Sequence, residues 1–164
     1  MRAIFGREFS GIMLLLCGMT LLRGAIPAGT RHILAEFETG ARKSTPCASD
    51  FMVGSRKEIS RFQILPSVWT EYSDAQNYQD PNAAWRVTEK ILHDREETFR
   101  RATGREWDPV DLYLMWNAPG VYQRARWDCR KVSRAVLERA KRFRNLFEER
   151  TRIDVAQTTP NQQP

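Results

Sequence analysis

The sequence predicts a mainly α fold in a single domain of about five to six helices. Three observations predict it. Apolar residues recur at near-3.6 spacing through the long segments, no stretch alternates convincingly with period two, and helix-start and helix-stop residues bracket the periodic runs in the right order. The 164 residues suit one domain of ordinary size, and 41% hydrophobic residues with five Trp and eight Phe give enough apolar surface for one core. Wholesale disorder is excluded.

The first 29 residues differ from the rest. Arg2 and Arg7 precede an apolar run from Ile12 to Leu22, and the small residues Gly24, Ala25, Ala28 and Gly29 follow. That is the order of a secretory signal peptide, and the run is well short of the roughly 20 residues that span a bilayer. The expectation is an exported chain, periplasmic or extracellular, with residues 1–29 as signal. An uncleaved membrane anchor held by Arg23, or a buried core helix, is the alternative.

The mature chain, residues 30–152, opens with a short helix: Thr30 is a good N-cap, Ile33, Leu34 and Phe37 supply an apolar side, and Gly40 stops it. Residues 41–57, rich in Ser, Thr, Pro and Gly, read as a loop, and Ile59 to Leu65 as a short extended segment. Pro66 opens a second helix through Val68, Trp69 and Tyr72. The clearest helix lies between Asp80, a cap followed by Pro81, and Gly104. Its apolar face holds Ala84, Val87, Ile91, Leu92, Phe99 and Ala102. Asp108-Pro109 starts another that Asn117-Ala118-Pro119-Gly120 cuts off. A last helix from about Asp128 to Glu149 buries Val132, Val136, Ala140, Phe143 and Phe147, and residues 153–164 read as a disordered tail.

The formal net charge is +6, and the pI is near 9.6. That favours polyanionic partners without choosing among nucleic acid, anionic lipid and cell-wall polymer. Between Arg124 and Arg152 eleven Arg or Lys face four Asp or Glu, which reads as a solvated helix face and is the main support for a nucleic-acid-binding alternative. Export argues against that partner. Two His and three Cys are too few for the usual zinc clusters, and phosphate loops, GxSxG and HExxH are absent, so no metal or cofactor is expected. Once Cys17 leaves with the signal, Cys47 and Cys129 remain as a candidate disulfide in an oxidising compartment.

Three segments carry a resemblance. Ala35-Glu36-Phe37-Glu38-Thr39-Gly40 looks like a helix-ending Glu-Ser-Gly, Ser60-Arg61-Phe62-Gln63-Ile64 like Gly-Leu-Met-Gln-Ile, and Leu114-Met115-Trp116-Asn117-Ala118-Pro119-Gly120 like Ala-Tyr-Asn-Ala-Gly. In that order, with a helix between the second and third, they resemble the lysozyme-like superfamily of lytic transglycosylases and goose-type lysozymes. The resemblance implies a lysozyme-like fold and cleavage of the β-1,4 bond between N-acetylmuramic acid and N-acetylglucosamine in peptidoglycan. It implies Glu38 as the catalytic acid, with Ser60, Gln63, Tyr113, Trp116 and Asn117 around the sugar. Trp116 stands where the family usually has Tyr. A phenolic contact to the acid then has to come from elsewhere, and Tyr113 is the nearest candidate.

Physical chemistry supports the acid independently. A carboxylic acid half buried among apolar groups keeps its proton near neutral pH because desolvation disfavours the charge. Glu38 follows Phe37 and lies one turn after Leu34, whereas Glu36 points to another side and reads as a surface residue. Glu58 is the nearby candidate for a second carboxylate, although exposure is its commoner fate. Lytic transglycosylases manage with one acid, since the N-acetyl group assists and an internal hydroxyl closes a 1,6-anhydro ring. The expected partner is the peptidoglycan glycan strand, and a membrane enters only through an uncleaved N-terminal segment. Binding of wall polymer without turnover is the alternative function.

Overall fold

Six α-helices carry the fold in a computed structural model that describes residues 26–27 and 29–158: α1 (Thr30–Thr39), α2 (Pro66–Tyr72), α3 (Pro81–Thr103), α4 (Pro109–Asn117), α5 (Pro119–Arg124) and α6 (Arg134–Thr158). Residues 1–29, expected from the sequence to be a signal segment, lie almost wholly outside the described residues. Among the described residues there is no strand, and no helix is long and apolar enough to cross a membrane.

Local chemistry explains most boundaries. Gly40 adopts φ 72°, ψ 11°, a left-handed turn that L side chains resist, and so ends α1. Gly29 occupies the N-cap of α1 in place of Thr30, which forms the first turn and is fully buried. Asp80 Oδ1 accepts from the Ala83 N–H at 2.6 Å, and Gly104 closes α3 at φ 67°. Asp108 accepts from the N–H groups of Val110 and Asp111 while Asp111 accepts from the Asp108 N–H, a reciprocal box that fixes the entry of α4.

Residues 110–116 of α4 are all buried. A helix apolar nearly all round has to be central, and α4 packs chiefly on α6 and then on α3. Its one acid, Asp111, is neutralised by Arg105 at 2.5 Å and accepts from the Tyr122 hydroxyl. The rings of Phe37, Tyr113 and Phe143 meet with centroids 4.9 to 5.4 Å apart and tie α1, α4 and α6 together. Such pairs contribute roughly 0.5–1.5 kcal/mol each beyond their burial.

Three expected boundaries move. Asn117 to Gly120 does not end the helical run, because Pro119 starts α5 at once. Asp128 caps only a 3-10 turn at Cys129–Lys131. Val132 is extended, and α6 begins at Arg134, where Ser133 Oγ accepts from the Val136 N–H. The helix continues to Thr158, so the first part of the expected tail is helical.

The 41–57 segment is held rather than loose. It contains a 3-10 turn at Ala48–Phe51, and Asp50 within it is fully buried against Arg61, itself 2% exposed, with Nε at 2.5 Å from Oδ1. Arg61 also donates to the carbonyls of Lys43 and Thr45. The expected Cys47–Cys129 disulfide is absent: both thiols are free. Cys47 belongs to this Arg61-centred loop, its backbone N–H bonded to Asp50, while Cys129 sits in the turn before α6.

Candidate active site

Glu38 is the last but one residue of α1, and Phe37 beside it locks that end of the helix onto α4 and α6. The carboxyl consequently lies inside the protein at the edge of a cleft of about 700 Å³, with its side chain 6% exposed. The Tyr113 hydroxyl donates to Oε1 at 2.8 Å and Arg139 Nη2 to Oε2 at 3.0 Å. Arg139 Nε also donates to the Tyr113 oxygen at 2.6 Å, closing a three-membered network. Burial raises the Glu38 pKa above the ordinary carboxylate value, outweighing the Tyr113 hydrogen bond and the Arg139 charge, which pull it down.

Across the cleft the chain turns back at Ile59 and Ile64, paired as a single antiparallel bridge. The turn between them places Gln63 in the cleft wall at φ 53°, its Nε2 donating to the carbonyls of Ser60 and Met52. Glu58 lines the same cleft. It is 7% exposed, not the surface residue its type suggests, because Arg56 donates to it through both N–H and Nε. Burial would raise its pKa, but hydrogen bonds from its own backbone and from Arg56 hold it below the ordinary value. Gly54 permits this wall. A Cβ there would overlap Gln63 Oε1 and Glu58 Oε2.

The third side comes from the α4–α5 junction, where Trp116, Asn117 and Gly120 line the cleft. Arg95 of α3 fixes that junction by donating from Nη1 to the carbonyls of Met115 and Trp116 at 2.9 and 2.8 Å, with its guanidinium 5.7 Å from the Trp116 ring centroid. These carbonyls end α4 and have no helical partner, so a half-buried cation suits them.

The structure thus gathers Glu38, Glu58, Gln63, Trp116 and Asn117 around one cleft. Two expected sugar contacts are corrected. Ser60 is 1% exposed at φ 64° inside the turn, its Oγ accepting from the Phe62 N–H, so it shapes the turn and cannot reach a ligand. Tyr113 is fully buried behind Glu38, to which its hydroxyl donates, and does not line the cleft. Glu36 is also no free surface group, since Arg150 and Arg42 both pair with it. Trp69 is buried, and Trp85, Trp107 and Trp127 are partly buried against the core.

Sequence reasoning missed Arg139 and Arg95. Arg139 was hidden in the basic face of the last helix. Arg95, however, interrupts the buried Ile91–Phe99 stripe at i+4 spacing, which is a legible signal. Among the described residues no three His, Cys, Asp or Glu side chains are grouped to hold a metal ion. No family model, curated protein or solved structure matches the chain.

Proposed function

We propose that the chain cleaves the β-1,4 glycosidic bond of peptidoglycan between N-acetylmuramic acid and N-acetylglucosamine, as a lytic transglycosylase of the lysozyme-like kind working with a single acid. One observation carries the reading. Two carboxyls share a cleft, and their surroundings push their pKa values apart: burial raises that of Glu38, whereas hydrogen bonds lower that of Glu58. Opposed titration of paired acids is the arrangement that divides acid from stabilising roles in glycoside cleavage.

In this reading Glu38 gives its proton to the leaving glycosidic oxygen. The anionic Glu58 adds negative potential to the side of the cleft where an oxocarbenium-like charge develops, and the substrate's N-acetyl group assists. The Glu38 carboxylate then takes the proton of the sugar C6 hydroxyl as that oxygen closes the 1,6-anhydro ring, which restores the acid. Gln63, Trp116 and Asn117 border the sugar path. Export through residues 1–29 would bring the chain to its polymer.

Binding without turnover has one observation in its favour, the Arg139 ion pair, which stabilises the ionised form of Glu38 and opposes its use as an acid. Incubation of the mature protein with purified peptidoglycan, followed by mass spectrometry of the soluble muropeptides, separates the readings. Anhydro ends support a transglycosylase and reducing ends a hydrolase. Sedimentation with the polymer and no release supports the binding module.

A further inference from the structure

Among the described residues five large apolar side chains are exposed, and three of them are consecutive: Phe51 at 67%, Met52 at 48% and Val53 at 67%. Such residues are ordinary when scattered singly, but a contiguous exposed run marks a contact surface. The fold holds this tip in place. On one side of it Asp50 is buried against Arg61, and on the other the Gly54 N–H donates to the Glu58 carbonyl. Between them the Met52 N–H donates to the Ser49 carbonyl, and the Met52 carbonyl accepts from Gln63 Nε2 at 3.3 Å. The main chain of Met52 is thus satisfied from within, which an apolar surrounding requires, and the tip offers its three side chains outward.

The exposed charges around the tip are of one sign. Residues 41–57 carry Arg42, Lys43, Arg56 and Lys57, all exposed, and a single carboxylate, Asp50, which is buried. Arg42 and Arg56 are paired with Glu36 and Glu58, whereas Lys43 and Lys57 have no carboxylate within ion-pair distance among the described residues. Both lysines are tied to the tip. The Lys57 N–H donates to the Gly54 carbonyl, and the Lys43 carbonyl accepts from the same Arg61 that holds Asp50. An apolar tip with cations at its base matches a surface that is anionic at its face and apolar beneath.

We propose that Phe51, Met52 and Val53 insert into the interface of an anionic lipid bilayer, with Lys43 and Lys57 against its headgroups. Three side chains fall well short of the roughly 800 Å² that each partner gives to a stable protein interface, whereas a bilayer needs no complementary pocket. The inference is independent of the glycan-cleaving reading and adds a membrane contact separate from residues 1–29. Gly54, Ser55 and Arg56 line the cleft, so a docked tip brings the cleft to the membrane surface.

Hydrogen exchange of the full chain, read at the amides of residues 51–57 with and without vesicles, tests this. Two compositions are compared, phosphatidylcholine alone and equal parts phosphatidylcholine and phosphatidylglycerol. Exchange at residues 51–57 should slow with the anionic vesicles more than with the neutral ones, and the difference should shrink as salt is added. Phe51→Ser with Val53→Ser should raise the lipid concentration needed for half-protection by about 10-fold or more, while unchanged exchange in α3 and α4 shows the fold intact. Lys43→Gln with Lys57→Gln should raise it by about 10-fold for the anionic vesicles only. Vesicle binding that leaves residues 51–57 exchanging as in solution overturns the proposal, as does protection undiminished in either double variant. Protection of residues 51–57 that needs no lipid and grows with protein concentration overturns it in favour of a second copy seated on the tip.

Discussion

The Tyr113 hydroxyl and the Glu38 carboxyl, 75 residues apart in sequence, meet at 2.8 Å at the base of the cleft. The donor stabilises the ionised acid, so it works against the burial that raises the Glu38 pKa. Replacing Tyr113 by Phe should therefore raise the Glu38 pKa further and move the alkaline limb of the kcat/KM profile to higher pH. It also leaves Arg139 Nε without its acceptor, at a stability cost of about 1–3 kcal/mol. A pH–rate profile of wild type and variant checks the direction. A limb moved to lower pH would mean that the phenol does not favour the ionised form.

Glu38 should also leave a mark on stability. Its folded pKa is raised above the ordinary 4.5, so the folded state holds the proton more tightly than the unfolded one. That contribution is fully present below pH 4.5 and lost as pH rises through the folded value. Gln mimics the protonated acid at every pH, so the Tm of Glu38→Gln minus that of wild type should grow from pH 4 to pH 8. The scale is about 2–4 °C per kcal/mol for a chain of this size. Thermal melts at both pH values check it, and a difference that shrinks would show Arg139 to outweigh burial.

Arg61 and Asp50 make a second stability prediction. Both are buried, and Arg61 alone joins Lys43, Thr45 and Asp50 behind the cleft wall. Arg61→Met leaves the Asp50 carboxylate buried with its main partner gone, which should cost about 3–5 kcal/mol in urea unfolding. Arg61→Lys should recover only part, because an ammonium cannot reproduce the bidentate pairing. A loss under 1 kcal/mol for the Met variant would show the pair to be incidental.

Short-range chemistry was legible in the sequence. Asp80-Pro81, Gly104, Asp108-Pro109 and Gly40 announce their caps because each acts through its own neighbours, and the structure places all four as helix boundaries. Glu38 and Tyr113 were legible as acid and phenol, but their meeting depends on how α1 crosses α4. What the sequence hid is what distant charges decide. Arg139 reads as one of many cations on a basic helix, and only its reach across 101 residues to Glu38 distinguishes it. Glu58 reads as exposed until Arg56 and the tight turn fold over it. The true start of α6 was obscured because Asp128 and Ser133 are both competent caps five residues apart, and the extended Val132 between them decides in favour of the second.

Glu38→Gln assayed against purified peptidoglycan tests the central claim most directly. The substitution keeps size and packing but cannot deliver a proton, and general acid catalysis contributes about 10²–10⁴-fold. The expected result is release of muropeptides slowed by at least about 100-fold, with the variant still folded and still sedimenting with the polymer. Undiminished release by the Gln protein would contradict the role given to Glu38 and move attention to Glu58. Wild-type protein that sediments with peptidoglycan and releases nothing would contradict the enzymatic account itself.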